Sequence, residues 1–415
     1  MVQDITSKIR LHVPEPPARP GETPNFDYLP LAAPGETRLP PLDSSPEDMR
    51  DMPWGLVRIM DDVGKPVGPW ADFLGEVDPD LLRKGLRDMM TTRTIDKRMQ
   101  MAQRQGKTTN HAQSTGEEAI ACGFQATLKQ GDMNFPTYRQ QGLLFAAGFP
   151  ITSYMNQLFG NSGDPLEGRQ LAVMQSSREH GFFTISGNLA TQFVQAVGWA
   201  MGSAISEDTK IAAGWIGDGA AAEGDFHWAM LFASVYKPPV VLNLVNNQWA
   251  ISTFSGLTGG GSLPFAARGI GYGLPALRVD GNDFLAVLAA SKWATERARA
   301  GFGPTFIEWL TYRVASHTTS DDAGAYRARD EAGSWPLGDP VERLKTHLIA
   351  RAEWSEERHV QALAEVEDMV KTEQKKSEAL GTMLDGGTAP AGAMFEHVYK
   401  DMPENLRRQR QKAGI

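Results

Sequence analysis

Apolar positions along the chain follow two rhythms. Leu81, Leu82, Leu86, Met89 and Met90 recur at helical spacing, and the pattern runs on through Ile95, Met99 and Met101. Thr115-Gly116-Glu117-Glu118 opens a second helix carrying Ala119 to Leu128, because acidic groups suit the positive end of a helix dipole. Beyond it the rhythm changes to short continuous apolar runs. Met133-Asn134-Phe135, Ile211 to Ile216, Val240 to Val245 and Thr305 to Leu310 read as buried strands, and Arg278 to Asp283 reads as a strand with its turn. Helical stretches separate them: Leu189 to Met201, rich in small residues, then Ala221 to Val235 and Ala286 to Arg299. Apolar strands alternating with helices predict an α/β fold, a parallel sheet flanked by helices and wound by right-handed crossovers.

The flanks differ from this centre. Residues 1–70 hold 13 of the 26 prolines, which exclude helix interiors and central strands. Phe26, Tyr28, Trp54 and Trp70 are spread through the stretch, and large aromatics need something to pack on. Residues 1–75 are therefore expected to form an extended arm that wraps a neighbouring subunit. Residues 76–340 form the α/β domain. Residues 341–415 form a helical segment packing on the core or on a partner. In it, Ser355-Glu356-Glu357-Arg358 starts a charged helix running to about Leu380, and a loop covers Gly381 to Gly392. The basic end Arg407-Arg408-Gln409-Arg410 reads as a solvated helix face.

Composition narrows the function. The 415 residues carry a net charge of −9, against nucleic-acid binding, which needs a basic face. No apolar run reaches the length of a membrane span, and Met1 to Ile5 does not open a signal peptide. The one cysteine, Cys122, excludes an internal disulfide and a multi-cysteine metal site. It reads as a small buried residue, and its isolation fits a reducing compartment, so a cytoplasmic location is expected. Gly256 to Gly261 has no following Lys-Ser/Thr and reads as a flexible loop rather than a nucleotide loop.

Candidate chemistry sits where strands end. Gly217-Asp218-Gly219 follows one predicted strand and Asn246-Asn247 the next. Ligands in open parallel sheets bind beyond the carboxyl ends of strands, so neighbouring strands would place Asp218 and Asn247 in one crevice. A carboxylate with an amide oxygen is hard-oxygen ligation suited to magnesium, which keeps places for phosphate oxygens. Gly217 and Gly219 allow close approach of a phosphate, and the helix expected to start near Ala221 would turn its amides to the same anion. The parts converge on a diphosphate held through a metal. After the next strand end, Tyr312 to Asp322 carries His317 in a polar loop. Tyr138 and Arg139 follow the Met133 strand, where a guanidinium suits a phosphate.

Gly-Asp-Gly and Asn-Asn separated by a crossover of this length resemble the thiamine-diphosphate signature. Gly217 to Asp225, Asn246 to Thr253, Arg104 to Lys107, Leu189 to Gln192, Ala266 to Gly269 and Arg278 to Asp283 resemble the alpha subunits of branched-chain 2-oxoacid dehydrogenases. Val57 to Asp61 resembles these more than the pyruvate counterparts, and the likeness runs from about Trp54 to the C-terminal helix.

The resemblance implies a set of roles. Asp218, Asn247 and the backbone carbonyl of Trp249 would hold magnesium. Tyr138, Arg139, Gly187, Leu189, Gly217, Gly219, Ala220, Glu223, Ala250, Ile251 and His317 would join Asp218, Asn247 and Trp249 around thiamine diphosphate. His317 would face the thiazolium and the 2-oxoacid. Arg313, Asp321, Tyr326 and Arg327 would order its loop. Ser186, Asn188, Thr191 and Gln192 match a structural potassium site, although Gly187 and Asn188 depart from its usual residues. Val245 stands where relatives place an arginine, and Ser316 where they place a second histidine. Thr318 and Ala328 replace regulatory phosphoserines, which argues against kinase control.

Only the diphosphate-holding half of such an enzyme is present. The glutamate that activates the cofactor would come from a beta subunit, in an alpha-2-beta-2 assembly, with a lipoyl-bearing acyltransferase receiving the acyl group. Rival readings are the same chemistry on pyruvate or acetoin, a non-catalytic subunit that only positions the cofactor, and a nucleotide hydrolase.

Overall fold

Seven strands and twelve helices follow from this patterning in a computed structural model of the protein that describes residues 11–385 and 390–415. The reading of Met1 to Ile5, and residues 386–389 of the loop expected over 381–392, lie outside them. The strands are β1 (Met133–Phe135), β2 (Ala212–Gly217), β3 (Val240–Asn246), β4 (Trp249–Ala250), β5 (Thr253–Phe254), β6 (Ala276–Asp280) and β7 (Thr305–Leu310). β1, β2, β3, β7 and β6 lie side by side in that order, and each neighbouring pair is parallel. β4 and β5 form a small antiparallel pair.

Helices α1 (Pro69–Leu74), α2 (Pro79–Arg104), α3 (Glu118–Gln125), α4 (Gln141–Ala146), α5 (Ile151–Phe159) and α6 (Thr191–Ile205) come first. Then follow α7 (Gly224–Tyr236), α8 (Ala266–Gly271), α9 (Phe284–Arg299), α10 (Pro340–Ala350), α11 (Glu356–Glu378) and α12 (Glu404–Lys412). Strand side chains alternate between two faces. Val240, Leu242 and Leu244 join Phe193 of α6, Phe226 of α7 and Ala266 of α8. Val241 and Val245 face the other way, toward the layer of Phe124 in α3, Trp293 in α9 and Leu86 in α2. Both sheet faces are covered, which is why the strands read as continuous apolar runs. The buried asparagines have a use: the Trp215 indole donates to Asn134 Oδ1 and the Trp309 indole to Asn243 Oδ1, each at 3.0 Å.

Several ends are fixed by caps visible in the sequence. Asp78, Asp283, Asp339 and Ser355 accept from backbone amides at the starts of α2, α9, α10 and α11. α11 therefore begins where the sequence placed it, and it lies on α5 and α2 of the same chain. Cys122 is buried, as expected.

The arm packs on its own chain: Phe26 meets Tyr312 and Trp335, Tyr28 meets Phe254, and Trp70 meets Trp293. These rings supply the apolar anchor the prolines cannot, and α1 joins the core layer ahead of the boundary drawn at residue 76. Only Trp54 stays more than half exposed. Two expectations of local structure need correction, and the first is the start of α7, which lies at Gly224. Gly219–Ala222 forms a separate 3₁₀ turn, so the helix expected from Ala221 opens three residues later. Gly256 to Gly261, expected to be a flexible loop, begins as a packed 3₁₀ turn at Ser255–Thr258.

Candidate active site

Four adjacent strand ends deliver the candidate residues to one place. Tyr138 and Arg139 follow β1, Asp218 follows β2, Asn247 follows β3, and the loop with Arg313 and His317 follows β7. β2 and β3 run in register with Gly217 beside Val245, and the Asp218 amide donates to the Val245 carbonyl at 3.2 Å. The strands are neighbours, as the crevice argument required.

A cavity of about 300 Å³ opens at these ends. Its wall includes Tyr138, Arg139, Gly187, Leu189, Gly217, Asp218, Gly219, Ala220, Asn247, Trp249, Ala250, Ile251 and His317. Glu223 is absent from the wall: it is exposed and precedes α7 with no side-chain cap, a consequence of the intervening 3₁₀ turn. Of the four residues matched to a potassium site, Ser186 and Gln192 reach the wall, while Asn188 and Thr191 are not part of it. The Thr191 hydroxyl donates to the Asn188 carbonyl and the Gln192 amide to the Ser186 carbonyl, leaving Gln192 Oε1 buried without a partner.

The residues fit a metal and a diphosphate. Asp218 is 2% exposed and its Oδ2 has no hydrogen-bond partner. Burial pushes its carboxyl up to about 7, opposed by the Gly219 amide and by Arg313. An ionised carboxylate in such a place needs a cation. A methyl group on Gly217 would meet nothing within 4 Å, so the missing side chain leaves room, and one on Gly219 would strike Ala250 at 2.5 Å.

The doubled asparagine divides its work. Asn246 donates to Glu308 Oε1 at 2.8 Å and is tied into the sheet. Asn247 donates to Glu117 Oε1 at 2.6 Å, in the cavity wall. The segment that follows is strained: Gln248 and Ile251 have φ of 74° and 57°, costly for residues other than glycine. Arg313 holds it. Its guanidinium donates to the Trp249 carbonyl at 2.7 Å, the Ile251 carbonyl at 2.9 Å and the Tyr326 hydroxyl at 2.7 Å.

His317 is held from every side. Its amide donates to Asp321 Oδ2 at 2.7 Å, which also accepts from the Tyr326 hydroxyl at 2.6 Å. Arg139 donates to its carbonyl at 2.9 Å and also to the Gln113 carbonyl. The ring Nδ1 lies 3.3 Å from Arg139 Nη2 and 3.4 Å from Arg313 Nη1. Guanidinium groups only donate, so Nδ1 is the acceptor and the neutral ring carries its proton on Nε2, 3.2 Å from the Tyr138 hydroxyl. Burial, then Arg139 and Arg313, push the ring down to about 3. Arg327 donates to the carbonyls of Arg313, Val314 and Ala315, so all four residues expected to order the loop touch it.

Sequence reasoning missed Glu117 and Glu331. Glu117 is 4% exposed, and burial pushes its carboxyl up to about 7 against Arg139 and Asn247. Nothing local marked it, because two glutamates before the apolar run Ala119 to Cys122 read as an ordinary acidic first turn of a helix. Glu331 accepts from the Trp249 indole and the Tyr312 hydroxyl, a contact between distant segments with no local signature.

A parallel sheet whose strand ends gather a buried carboxylate, a side-chain amide and a clamped histidine is the frame that the thiamine-diphosphate resemblance implies. The chain belongs to the dehydrogenase E1 component family, whose model matches residues 86–383. A second model, 2-oxoisovalerate dehydrogenase E1 alpha subunit N terminal, matches residues 7–47. The chain is 54% identical to the 2-oxoisovalerate dehydrogenase subunit alpha of Pseudomonas aeruginosa, over 98% of both chains. It is 36% identical to the mitochondrial subunit alpha of Mus musculus, over 86% of this chain and 79% of that one. With the Caenorhabditis elegans subunit it shares 37% identity over 86% of this chain and 80% of its relative. The likeness spans the arm as well as the sheet.

Proposed function

We propose that the chain acts as the alpha subunit of a branched-chain 2-oxoacid dehydrogenase, an oxidoreductase that decarboxylates acids of the 2-oxoisovalerate type and passes the acyl group to a lipoyl group. The family and the near full-length likeness support the activity. The observation that carries the site is the unpartnered Asp218 oxygen beside Asn247 in one cavity with His317.

Asp218, the Asn247 amide oxygen and the Trp249 carbonyl would hold magnesium. Arg313 already donates to that carbonyl, which keeps a second lone pair. When bound, thiamine diphosphate would supply a nucleophilic carbon and an electron sink for the decarboxylation. The chain places and steadies the reactants. Gly217 and Gly219 leave space for the diphosphate, with Tyr138 and Arg139 at its flank. His317 presents Nε2–H to the oxygen that gains negative charge on the substrate, where a positioned donor acts most strongly. The orphaned Gln192 oxygen suits a potassium ion at the Ser186 to Gln192 turn.

The cavity mouth supports a partner. Leu189 and Ile251 of its wall stand half exposed or more, as does Leu257 next to the lining residue Thr258, and α7 presents Trp228, Val235 and Tyr236 outward. Apolar exposure on that scale marks a protein contact. A beta subunit covering it, in an alpha-2-beta-2 assembly, would supply the activating glutamate, and a lipoyl-bearing acyltransferase would take the product. A cytoplasmic location belongs to the same reading; it rests on the lone buried thiol, which fits a reducing compartment.

The test is reconstitution with a co-purifying beta subunit. Carbon dioxide release from 2-oxoisovalerate is expected to require both chains, magnesium and thiamine diphosphate, and to exceed release from pyruvate. A clear pyruvate preference would overturn the substrate assignment.

A further inference from the structure

The geometry points to Glu117 as the residue that fixes the orientation of the Asn247 amide, and so sets the affinity of the site for its divalent cation. The inference rests on the reading of Asp218 and Asn247 as metal ligands. A side-chain amide has two ends of nearly equal size, one accepting and one donating. Only the oxygen end can meet a cation. If the amide turned over, its NH₂ would point at the metal and the ligand would become a repulsive neighbour.

Glu117 settles which end faces which way. Its Oε1 accepts from Asn247 Nδ2 at 2.6 Å, and the ionised form, favoured by the Arg139 guanidinium beside it, offers no proton to the oxygen end. Asn247 Oδ1 is left with a single 3.3 Å contact, from the Trp249 amide. The carboxylate is itself fixed. It is 4% exposed, and Arg139 Nε lies 3.8 Å from the same oxygen. Gly116, directly before it, sits at φ 100° against the Tyr312 carbonyl, where an added Cβ would come within 2.2 Å. The Gly116 carbonyl accepts from the Thr311 hydroxyl at 2.8 Å, tying the segment to the end of β7.

Neighbouring acids do not duplicate this role. Glu118 accepts from Arg93 and from the Gly116 amide. Glu308 holds Asn246 in the same manner, but its other oxygen accepts from the Ala266 amide, and neither residue lies in the cavity wall. The fold uses one device twice, and only the Glu117 copy reaches the site. Glu117 is thus a positioning residue that acts through Asn247.

The test compares two substitutions of similar length in the purified alpha–beta assembly. Glu117→Gln keeps an oxygen that can accept from Asn247, and Glu117→Met removes it. Mn²⁺ is titrated in the presence of thiamine diphosphate, with free Mn²⁺ read by electron paramagnetic resonance. Melting of the metal-free assembly reports folding separately. Glu117→Met is expected to weaken Mn²⁺ binding roughly 10- to 100-fold, the usual loss when a group orienting a metal ligand is removed. Glu117→Gln is expected to restore binding to within about threefold of wild type, since it keeps that orienting bond. Equal binding by wild type and Glu117→Met overturns the proposal. So does a Gln variant as weak as the Met variant, which would assign the effect to charge rather than amide orientation. A wild-type assembly that takes up no Mn²⁺ overturns the metal-site reading itself, and this inference with it.

Discussion

Replacing His317 by alanine in the assembled enzyme is expected to cut turnover of 2-oxoisovalerate by roughly 10²- to 10³-fold, the usual cost of losing a donor aimed at developing negative charge. Magnesium binding should change little, because His317 is not among the proposed metal ligands Asp218, Asn247 and Trp249. The role has a pH signature. The ring faces Arg139 and Tyr138 from the segment after β1, and Arg313 and Asp321 from its own loop. Burial and the two guanidiniums push it down to about 3, so it remains neutral across the working range. The unfolded chain, with an ordinary histidine near pH 6.5, takes up this proton first. The contribution of His317 to stability is therefore intact above about 6.5 and declines as pH falls toward about 3. Turnover plotted against pH should show no acid limb near 6.5 that belongs to this residue. Steady-state carbon dioxide release checks both points. Full turnover in the alanine variant, or an acid limb near 6.5 that vanishes in His317→Gln, would contradict the neutral-donor role.

Asp218→Ala is expected to abolish magnesium-dependent binding of thiamine diphosphate while leaving the cofactor-free chain no less stable. The reason is the orphaned oxygen. A buried polar group without a partner costs about 1–3 kcal/mol, and Asp218 Oδ2 is in that state. Removing it relieves the cost and takes away the one carboxylate among the proposed metal ligands. Calorimetry separates the effects. Wild type should melt higher when magnesium and thiamine diphosphate are added together, and Asp218→Ala should lose that rise without a lower starting point. A variant that keeps the rise would place the metal elsewhere.

Much of this site was readable from sequence because its logic is local. Asp218 and Asn247 each end a strand whose apolar run is unambiguous, and consecutive strands joined by one helix lie side by side. Ser355 was readable as a helix start for the same reason: a cap bonds to its own next turn. Glu117 was not readable as part of the site, because its partner lies 130 residues away. The same holds for Glu331, which meets Trp249 across 82 residues. The start of α7 was misplaced because Ala220, Ala221 and Ala222 suit a helix, yet the chain spends them on a tighter turn beside Asp218. The contacts of the arm were not readable, for another reason. Its prolines say only which regular structures it avoids, and the surface that receives Phe26 forms only when Tyr312 and Trp335 come together.

Tyr28 gives the arm a consequence beyond packing. Its hydroxyl donates at 2.9 Å to Gln248, 220 positions downstream, in the strained step between Asn247 and Trp249. The proline-rich start is thus a buttress behind the cofactor shelf. A chain shortened past Tyr28 would keep every residue that lines the cavity and lose the prop beneath them. The support of the cavity thus begins ahead of the α/β domain that forms it.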